Sequence, residues 1–431
     1  MDYSPAGIAD LVRPTDFDPR VYTDQEIFRL EMTRIFDRAW LVVGHESMVP
    51  QPGRFFVTRA GSRQILVTRA EDGRIRAFQN RCPHRGARLC SQDRGNTSVF
   101  VCPYHGWSFT GDGVLTGVPS PEEYPEGLAT GPRGLDPVAA LDAYRGFLFV
   151  RHTTEGPPLM EFLGDIKSSI DDLVDRAPDG EVEACPIPLR HRYRANWKLS
   201  FENLNDAHHA RVAHASSARS AGQVLQEWGD RATHTSLRIM KANGMSAREF
   251  GQLGSVTVPY GHSYMYGFID GQKSPSQAEE YELRLRAAKG DSEAERITSV
   301  NRHLTLLYPS ATFQGRFQSL RLIHPISHDL TESVGYLFRL KGGSEKSFKD
   351  ALEYFHISMS PFSPVVTDDF EIYEGTQQIN DAPSAPPLPV TRLFDPHEAD
   401  RKGRVEHRAT SEAFIRNQYV AWKAYMCGDK T

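Results

Sequence analysis

Cys82 and His84, followed after seventeen intervening residues by Cys102 and His105, read C-x-H and then C-x-x-H. Two thiolates and two imidazoles on two short loops are the ligand set of a 2Fe–2S cluster in which two His replace two Cys on one iron. That replacement raises the reduction potential above that of all-Cys clusters. The flanks, Arg81-Cys82-Pro83-His84-Arg85-Gly86 and Cys102-Pro103-Tyr104-His105-Gly106-Trp107, carry glycine and proline. Such residues let a loop wrap sulfur and turn its N–H groups inward. A zinc site of two Cys and two His is the other four-coordinate reading. Zinc motifs usually pair Cys with Cys and His with His, whereas each loop here holds one of each, which favours the cluster.

A second set of metal-binding residues begins about a hundred positions later, in Asn196-Trp197-Lys198-Leu199-Ser200-Phe201-Glu202-Asn203-Leu204-Asn205-Asp206-Ala207-His208-His209, and closes at His214. Two His and a carboxylate on one face of iron form the facial triad of non-heme Fe(II) oxygenases, with positions left open for dioxygen and substrate. On a helix, Asp206 and His209 would share a face. His209 and His214 would lie about 140° apart, so both reach one metal only if the helix ends or widens into a π-turn near Val212. The third ligand must come from elsewhere if Asp206 has another role. Thr367-Asp368-Asp369-Phe370-Glu371 offers two candidates, Asp368 and Asp369, with Thr367 as N-cap. A solvated acidic first turn is the plainer reading of that segment.

Together these constellations resemble the large (α) subunit of Rieske non-heme iron ring-hydroxylating oxygenases. The resemblance spans the cluster motif, the N-W-K-x3-E-N-x2-D-x2-H-x4-H block and a final helix from Ser411 through Trp422 to Met426. It implies that Cys82, His84, Cys102 and His105 hold a Rieske 2Fe–2S cluster. His209 and His214 would hold a mononuclear Fe(II), with Asp369 as third ligand because Glu374 and Gln378 follow at the family's spacing. It implies that Asp206 links His209 to a Rieske His, here His105, of a neighbouring subunit, and that Asn203 lies beside the iron. The stretch from Asn203 to Asp206 is one residue shorter than in naphthalene- and biphenyl-type enzymes and is similar to the terephthalate- and salicylate-type members. His208 stands where many members have Tyr. This leaves two adjacent His as possible ligands, of which spacing favours His209. A carboxylate on the outer imidazole N–H would fix the tautomer and raise ligand basicity.

The expected fold is α+β: an all-β Rieske domain at 41–155, set before a mixed catalytic domain at 156–431 with an antiparallel, helix-grip-like sheet, and an N-terminal helical arm at 1–40 packing on the catalytic domain. Length suggests two to three domains. Thr23-Asp24-Gln25-Glu26 reads as a capping box before a stripe of Ile27, Leu30, Ile35 and Trp40. Strands are expected at 54–58, 64–69 and 75–80, with turns at Asp72-Gly73 and at Gly111-Asp112-Gly113. Residues 171–175 and 278–297 read as exposed charged helices, and 382–389 as a proline-rich connector.

No apolar run is long enough for a membrane span, no secretory signal is visible, and the net charge of −5 gives nucleic acid no footing. Cys90, Cys185 and Cys427 remain beyond the cluster, an odd number that suits a reducing cytoplasm. No nucleotide-binding glycine motif is present, so electrons must arrive from a separate reductase, with or without a ferredoxin. The expected reaction is dioxygen-dependent hydroxylation of an aromatic ring, most simply dihydroxylation of an aromatic carboxylate. The alternatives are a Rieske monooxygenase that hydroxylates once or demethylates, and a pure electron carrier. Phe201, Leu204, Val212 and the stretch 304–317 are candidates for the pocket wall, with core packing as the plainer role of each. Arg316, or else Arg211, would fork the carboxylate. The cross-subunit link implies an oligomer, which a homotrimer closes head to tail, with or without a small β subunit as α3β3.

Overall fold

The computed structural model describes residues 2–428 apart from 126, 128–132, 230–234, 269–274, 383 and 399–400. The chain forms two compact units, one of residues 36–159, the other of 1–35 together with 160–431. No helix among the described residues is long and apolar enough to cross a membrane.

The smaller unit is built from short antiparallel ladders. Ile75–Gln79, Arg63–Arg69, Arg54–Ala60 and Arg94–Asn96 form a four-stranded sheet, and Val99–Val101, Ser108–Thr110 and Leu115–Gly117 form a three-stranded one. The first three expected strands thus appear within two residues of their anticipated ends. Both turns form as read, because Gly73 and Gly113 take the positive φ that L side chains avoid, at +79° and +85°. Phe55, Leu66, Phe78, Phe100, Trp107 and Phe109 pack one core around Cys82 and Cys102.

The larger unit carries a nine-stranded antiparallel sheet. Its long central hairpin, Ser319–Ser327 with Leu330–Leu340, is flanked on one side by Ala311–Gln314, Arg302–Leu307, Ser263–Tyr266, Gly254–Thr257 and Val405–Arg408. On the other side lie Val182–Ala184 and Leu189–Tyr193. The helix Trp197–Leu204 starts where Asn196 caps it by accepting the Lys198 N–H. Asn196 also donates to the Tyr22 and His328 carbonyls.

Several local expectations need correction. Asp24, not Thr23, caps the helix Gln25–Glu31, accepting from Glu26 and Ile27. A π-turn follows at Met32–Phe36. The helix Lys167–Asp175 is not a solvated face: Asp172 is buried and paired with Arg176 at 2.7 Å, beside buried Ile170 and Leu173. The run 278–297 breaks at Gly290 (φ +84°) into Pro275–Lys289 and Asp291–Ser299. The connector 382–389, whose residue 383 lies outside the described residues, ends in a short strand, Leu388–Pro389, paired with Asp16–Phe17.

Glu202 accepts from Tyr22 Oη at 2.6 Å and Tyr419 Oη at 2.8 Å. Removal from water pushes its carboxyl up from 4.5 to about 7, against the pull of those phenols and of Lys198. A carboxyl raised on folding contributes stability below its unfolded value and loses it as pH climbs through the folded one. Between pH 4.5 and values above 7 this group should withdraw roughly 3 kcal/mol. Glu202→Gln is expected to flatten that part of the stability–pH curve in denaturant titrations.

Candidate metal centres

The two cluster loops are built alike. In the first, Gly86 N–H donates to the Cys82 carbonyl (2.9 Å) and Cys82 N–H to Ala87 (2.8 Å). In the second, Gly106 N–H donates to Cys102 (3.0 Å) and Cys102 N–H to Trp107 (2.8 Å). Gly86 and Gly106 adopt φ +74° and +71°, which makes each turn possible. Cys82 and Cys102 are buried, and the His84 and His105 rings lie 4.7 Å apart between centroids. Trp107 stacks flat on His84 at 4.6 Å. Burial pushes the Cys82 thiol up, the His84 N–H pulls against it, and Cys102 adds to the rise. Burial, then His105 and Arg85, hold the His84 imidazole down.

His84 Nδ1 is buried and has no hydrogen-bond partner. A buried imidazole nitrogen with no proton acceptor or donor beside it is what ligation to iron would use. The donor set therefore fits a Rieske cluster.

The second centre joins three segments. Helix Trp197–Leu204 ends at Asn205, and residues 205–209 form a turn, so Asp206 and His209 do not share a helix face as expected. A single helical turn, Ala210–Ala213, follows, and His214 leaves helical geometry at φ −101°, ψ 21° before the helix Ala215–Trp228 begins. The anticipated break is thus present, one to two residues beyond Val212. Asp369 comes from helix Pro364–Asn380, whose N-cap is Ser363 rather than Thr367. Ser363 Oγ accepts from Val365 and Val366, and Pro364 occupies the first turn, where its missing N–H costs nothing.

One ligand atom from each of His209, His214 and Asp369 lies within 4.8 Å of the others. Asp369 Oδ1 sits 3.6 Å from His209 Nε2 and 3.3 Å from His214 Nε2, and it accepts from Asn203 Nδ2 at 3.2 Å. Burial alone would raise the Asp369 carboxyl, but the two imidazoles outweigh it and hold it at about 2. Burial lowers the His214 imidazole, and Asp369 and Asp368 reverse this to a net rise. The outer nitrogens are also engaged. His209 Nδ1 meets the Asp206 main-chain carbonyl at 2.5 Å, and His214 Nδ1 meets Asp368 Oδ2 at 3.3 Å. Both rings thereby turn Nε2 toward Asp369 Oδ1, where together they would hold a metal. Asp368 is a partner of a ligand, which separates its place from that of Asp369. His208 contributes its N–H to Asp206 and is absent from the triad.

A cavity of about 160 Å³ opens on the triad, lined by Leu204, Met240, Phe250, Leu253, Met265, Phe317 and Ile357 among others, with Asn203, Asp206, Asn243, His303, Gln314, Tyr354, Ser358 and Arg321 as its polar members beside the triad itself. Of the anticipated wall residues, Leu204, Leu304, Gln314 and Phe317 line it. The structure places the others elsewhere. Phe201 is packed in the core near Trp197 and Tyr308, and Val212 is 73% exposed. Arg211 is exposed on the helical turn. Arg316 occupies the turn 315–318, near Arg176, Asp172 and Tyr281, and burial beside Arg176 lowers it to about 10. The arginine in the cavity wall is Arg321, which sequence reasoning passed over because it sits among the alternating residues of a central strand.

An all-β unit with a Rieske ligand set, together with a catalytic unit whose iron site has two imidazoles and one carboxylate, defines a Rieske non-heme iron oxygenase. The comparisons agree. Residues 39–134 match the Rieske [2Fe-2S] domain, and residues 175–409 match the ring hydroxylating alpha subunit (catalytic domain). The chain is 33% identical over 367 residues to the toluate 1,2-dioxygenase subunit alpha of Pseudomonas putida, covering 83% of this chain and 77% of that one. It is 30% identical over 362 residues to the 2-halobenzoate 1,2-dioxygenase large subunit of Burkholderia cepacia, covering 83% and 75%. A solved naphthalene 1,2-dioxygenase with indole in its active site superposes with a TM-score of 0.82 at 27% identity, covering 99% of this chain and 95% of that one. The protein belongs to the ring-hydroxylating alpha-subunit family and is an enzyme, a Rieske non-heme iron ring-hydroxylating oxygenase.

Removing the partner of a metal-bound imidazole typically weakens metal binding about 10- to 100-fold. Asp368→Asn is expected to lower ferrous affinity by that factor in metal titrations while the visible spectrum of the cluster stays unchanged.

Proposed function

We propose that this chain is the terminal oxygenase that dihydroxylates a single-ring aromatic carboxylate. The observation that carries this reading is Arg321 in the wall of the cavity beside the iron triad. Its Nε is buried with no hydrogen-bond partner, and its Nη2 meets the Met359 sulfur, a weak acceptor. No carboxylate pairs with it among the described residues. A partly buried guanidinium whose Nε is shut off from water and has no acceptor is costly to leave so, and it matches a planar carboxylate by two parallel N–H···O bonds. Gln314 and Tyr354, in the same wall, add polar groups at that place.

Size supports one ring. An apolar cavity of about 150 Å³ is enough to hold benzene. The cavity here is close to that, so a benzoate fits more readily than a fused or biaryl substrate. The relatives named for toluate and 2-halobenzoate point the same way.

Bound iron would supply dioxygen activation, with electrons delivered through the cluster from a donor protein. The chain's own residues do the rest. Asn203 and the two outer-nitrogen partners hold the ligands, the apolar lining excludes water, and Arg321 fixes which ring edge faces the metal. In the overall reaction one arene, one dioxygen, two electrons and two protons give one cis-diol. The reading includes an electron-donating reductase, with or without a ferredoxin. It also includes a cytoplasmic homotrimer, with or without a small β subunit, in which Asp206 links His209 to His105 of a neighbouring subunit.

Single turnover tests this: cluster-reduced, Fe(II)-loaded protein with dioxygen and a panel of benzoates, salicylates and dicarboxylates, with products read by mass. A gain of two oxygens and two hydrogens is the expected result, and a gain of one oxygen would make the enzyme a monooxygenase instead. Arg321→Met should raise KM for the benzoate about 10- to 100-fold, the worth of a charged hydrogen-bond pair, while both metals stay bound. An unchanged KM would remove the arginine from substrate recognition.

A further inference from the structure

Asp206 lies in the turn between the helix that carries Asn203 and the one that precedes His214, and its two carboxylate oxygens differ in their surroundings. Oδ1 accepts the His208 N–H at 2.8 Å and Arg392 Nη2 at 2.8 Å. Oδ2 has no partner among the described residues.

Arg392 is itself held from several sides. Its Nε donates to the Thr410 carbonyl at 2.6 Å, and its main-chain N–H donates to Glu412 Oε2 at 2.7 Å. Its Nη2 also lies 3.6 Å from Glu412 Oε1. Glu412 in turn stands just before the helix Ala413–Cys427 and donates its own N–H to the Arg392 carbonyl at 3.2 Å. The guanidinium would therefore keep its place even without Asp206. A fixed donor fork on one oxygen removes the rotational freedom of the carboxylate and aims the other oxygen in one direction. The Asp206 and Arg392 side chains keep 19% and 28% of their surface, and Asp206 also lines the cavity beside the triad.

We infer that Arg392 is a positioning residue for electron delivery: it clamps Asp206 so that Oδ2 is preset to accept an imidazole N–H from a cluster-ligating His of another copy of this chain. This rests on the proposed linking role of Asp206. A preset acceptor needs no reorganisation when the electron moves, whereas a free carboxylate would sample several rotamers and hold the link part of the time. Lysine could meet one of the partners but not the fork, so it should restore only part of the effect.

The test uses the full chain with both metals loaded, as Asp206→Asn, Arg392→Met and Arg392→Lys. Two quantities are read: the reduction potential of the cluster, and the rate at which the reduced cluster is oxidised in single turnover with substrate and dioxygen. Asp206→Asn is expected to shift the potential and slow oxidation at least tenfold, Arg392→Met to reproduce both changes in part, and Arg392→Lys to fall between Arg392→Met and wild type. If Asp206→Asn changes both quantities while the two Arg392 variants match wild type, the inference fails and the linking role stands. If Asp206→Asn changes neither, the linking role fails and the inference with it. If Arg392→Met melts early or loses iron while Arg392→Lys keeps the wild-type potential and rate, the arginine is structural and the inference is overturned.

Discussion

A carboxylate with no exposure to water, Glu31, holds the catalytic unit together at its least forgiving point. It accepts Lys198 Nζ at 2.5 Å, Trp197 Nε1 at 2.9 Å and Trp422 Nε1 at 2.6 Å. Burying such a pair adds little net stability, because both charges leave water. Breaking it by removing one partner costs about 3–5 kcal/mol, because the other charge stays behind. The pair therefore acts as a register lock. It joins the helix Gln25–Glu31, the helix Trp197–Leu204 and the helix Ala413–Cys427 in one arrangement. Glu202, with Tyr22 and Tyr419 from the same two ends of the chain, repeats the lock one turn further along. Asn203 follows it and reaches Asp369, so the placement of an iron ligand depends on residues almost four hundred positions apart.

From that fixed helix the metal site follows by geometry. Two imidazoles five residues apart cannot converge on one face of a regular helix, and the chain solves this by ending the helix twice, at Asn205 and at His214. Each ring then needs its other nitrogen satisfied, or it would turn. The Asp206 carbonyl serves His209 and the Asp368 carboxylate serves His214. Adjacent aspartates in one helical turn divide the work between metal and imidazole, with Asp369 buried toward the ligands and Asp368 more exposed.

The local chemistry was legible in the sequence wherever it depended on spacing. C-x-H and C-x-x-H marked both cluster loops, and the five-residue His interval required the broken helix. What could not be read was tertiary partnership. Glu31 sits four residues after Ile27 and four before Ile35, on the buried stripe of its helix, and a charged residue at such a position signals a buried partner. Lys198 and Trp197 are the partners, but nothing local connects them to it. Thr367 was a reasonable cap by type, yet Ser363-Pro364 begins the helix one turn earlier and draws Asp368 and Asp369 into its interior. Arg316 and Arg321 are five residues apart on either side of a turn. Only the strand register, which pairs Arg321 with Thr312 and Gly335, decides which of them meets the cavity.

On the proposed reading, that register gives the cavity its chemical selectivity. An apolar pocket distinguishes neutral rings poorly, since a methylene is worth only about 1–3 kcal/mol. A pocket with a partly buried guanidinium that lacks an anion distinguishes more strongly, because a neutral ring offers Arg321 no acceptor. In the proposed reading the cavity volume limits the number of rings and the arginine limits their charge, and the two limits are independent. A second ring could be admitted by trimming Phe317 or Ile357 without relaxing the demand for an anion. Loss of the arginine would admit neutral single rings without making space for a second. The fold shared with a naphthalene 1,2-dioxygenase thus leaves the substrate open, and in the proposed reading the side chains along one strand and one helix of this chain select it.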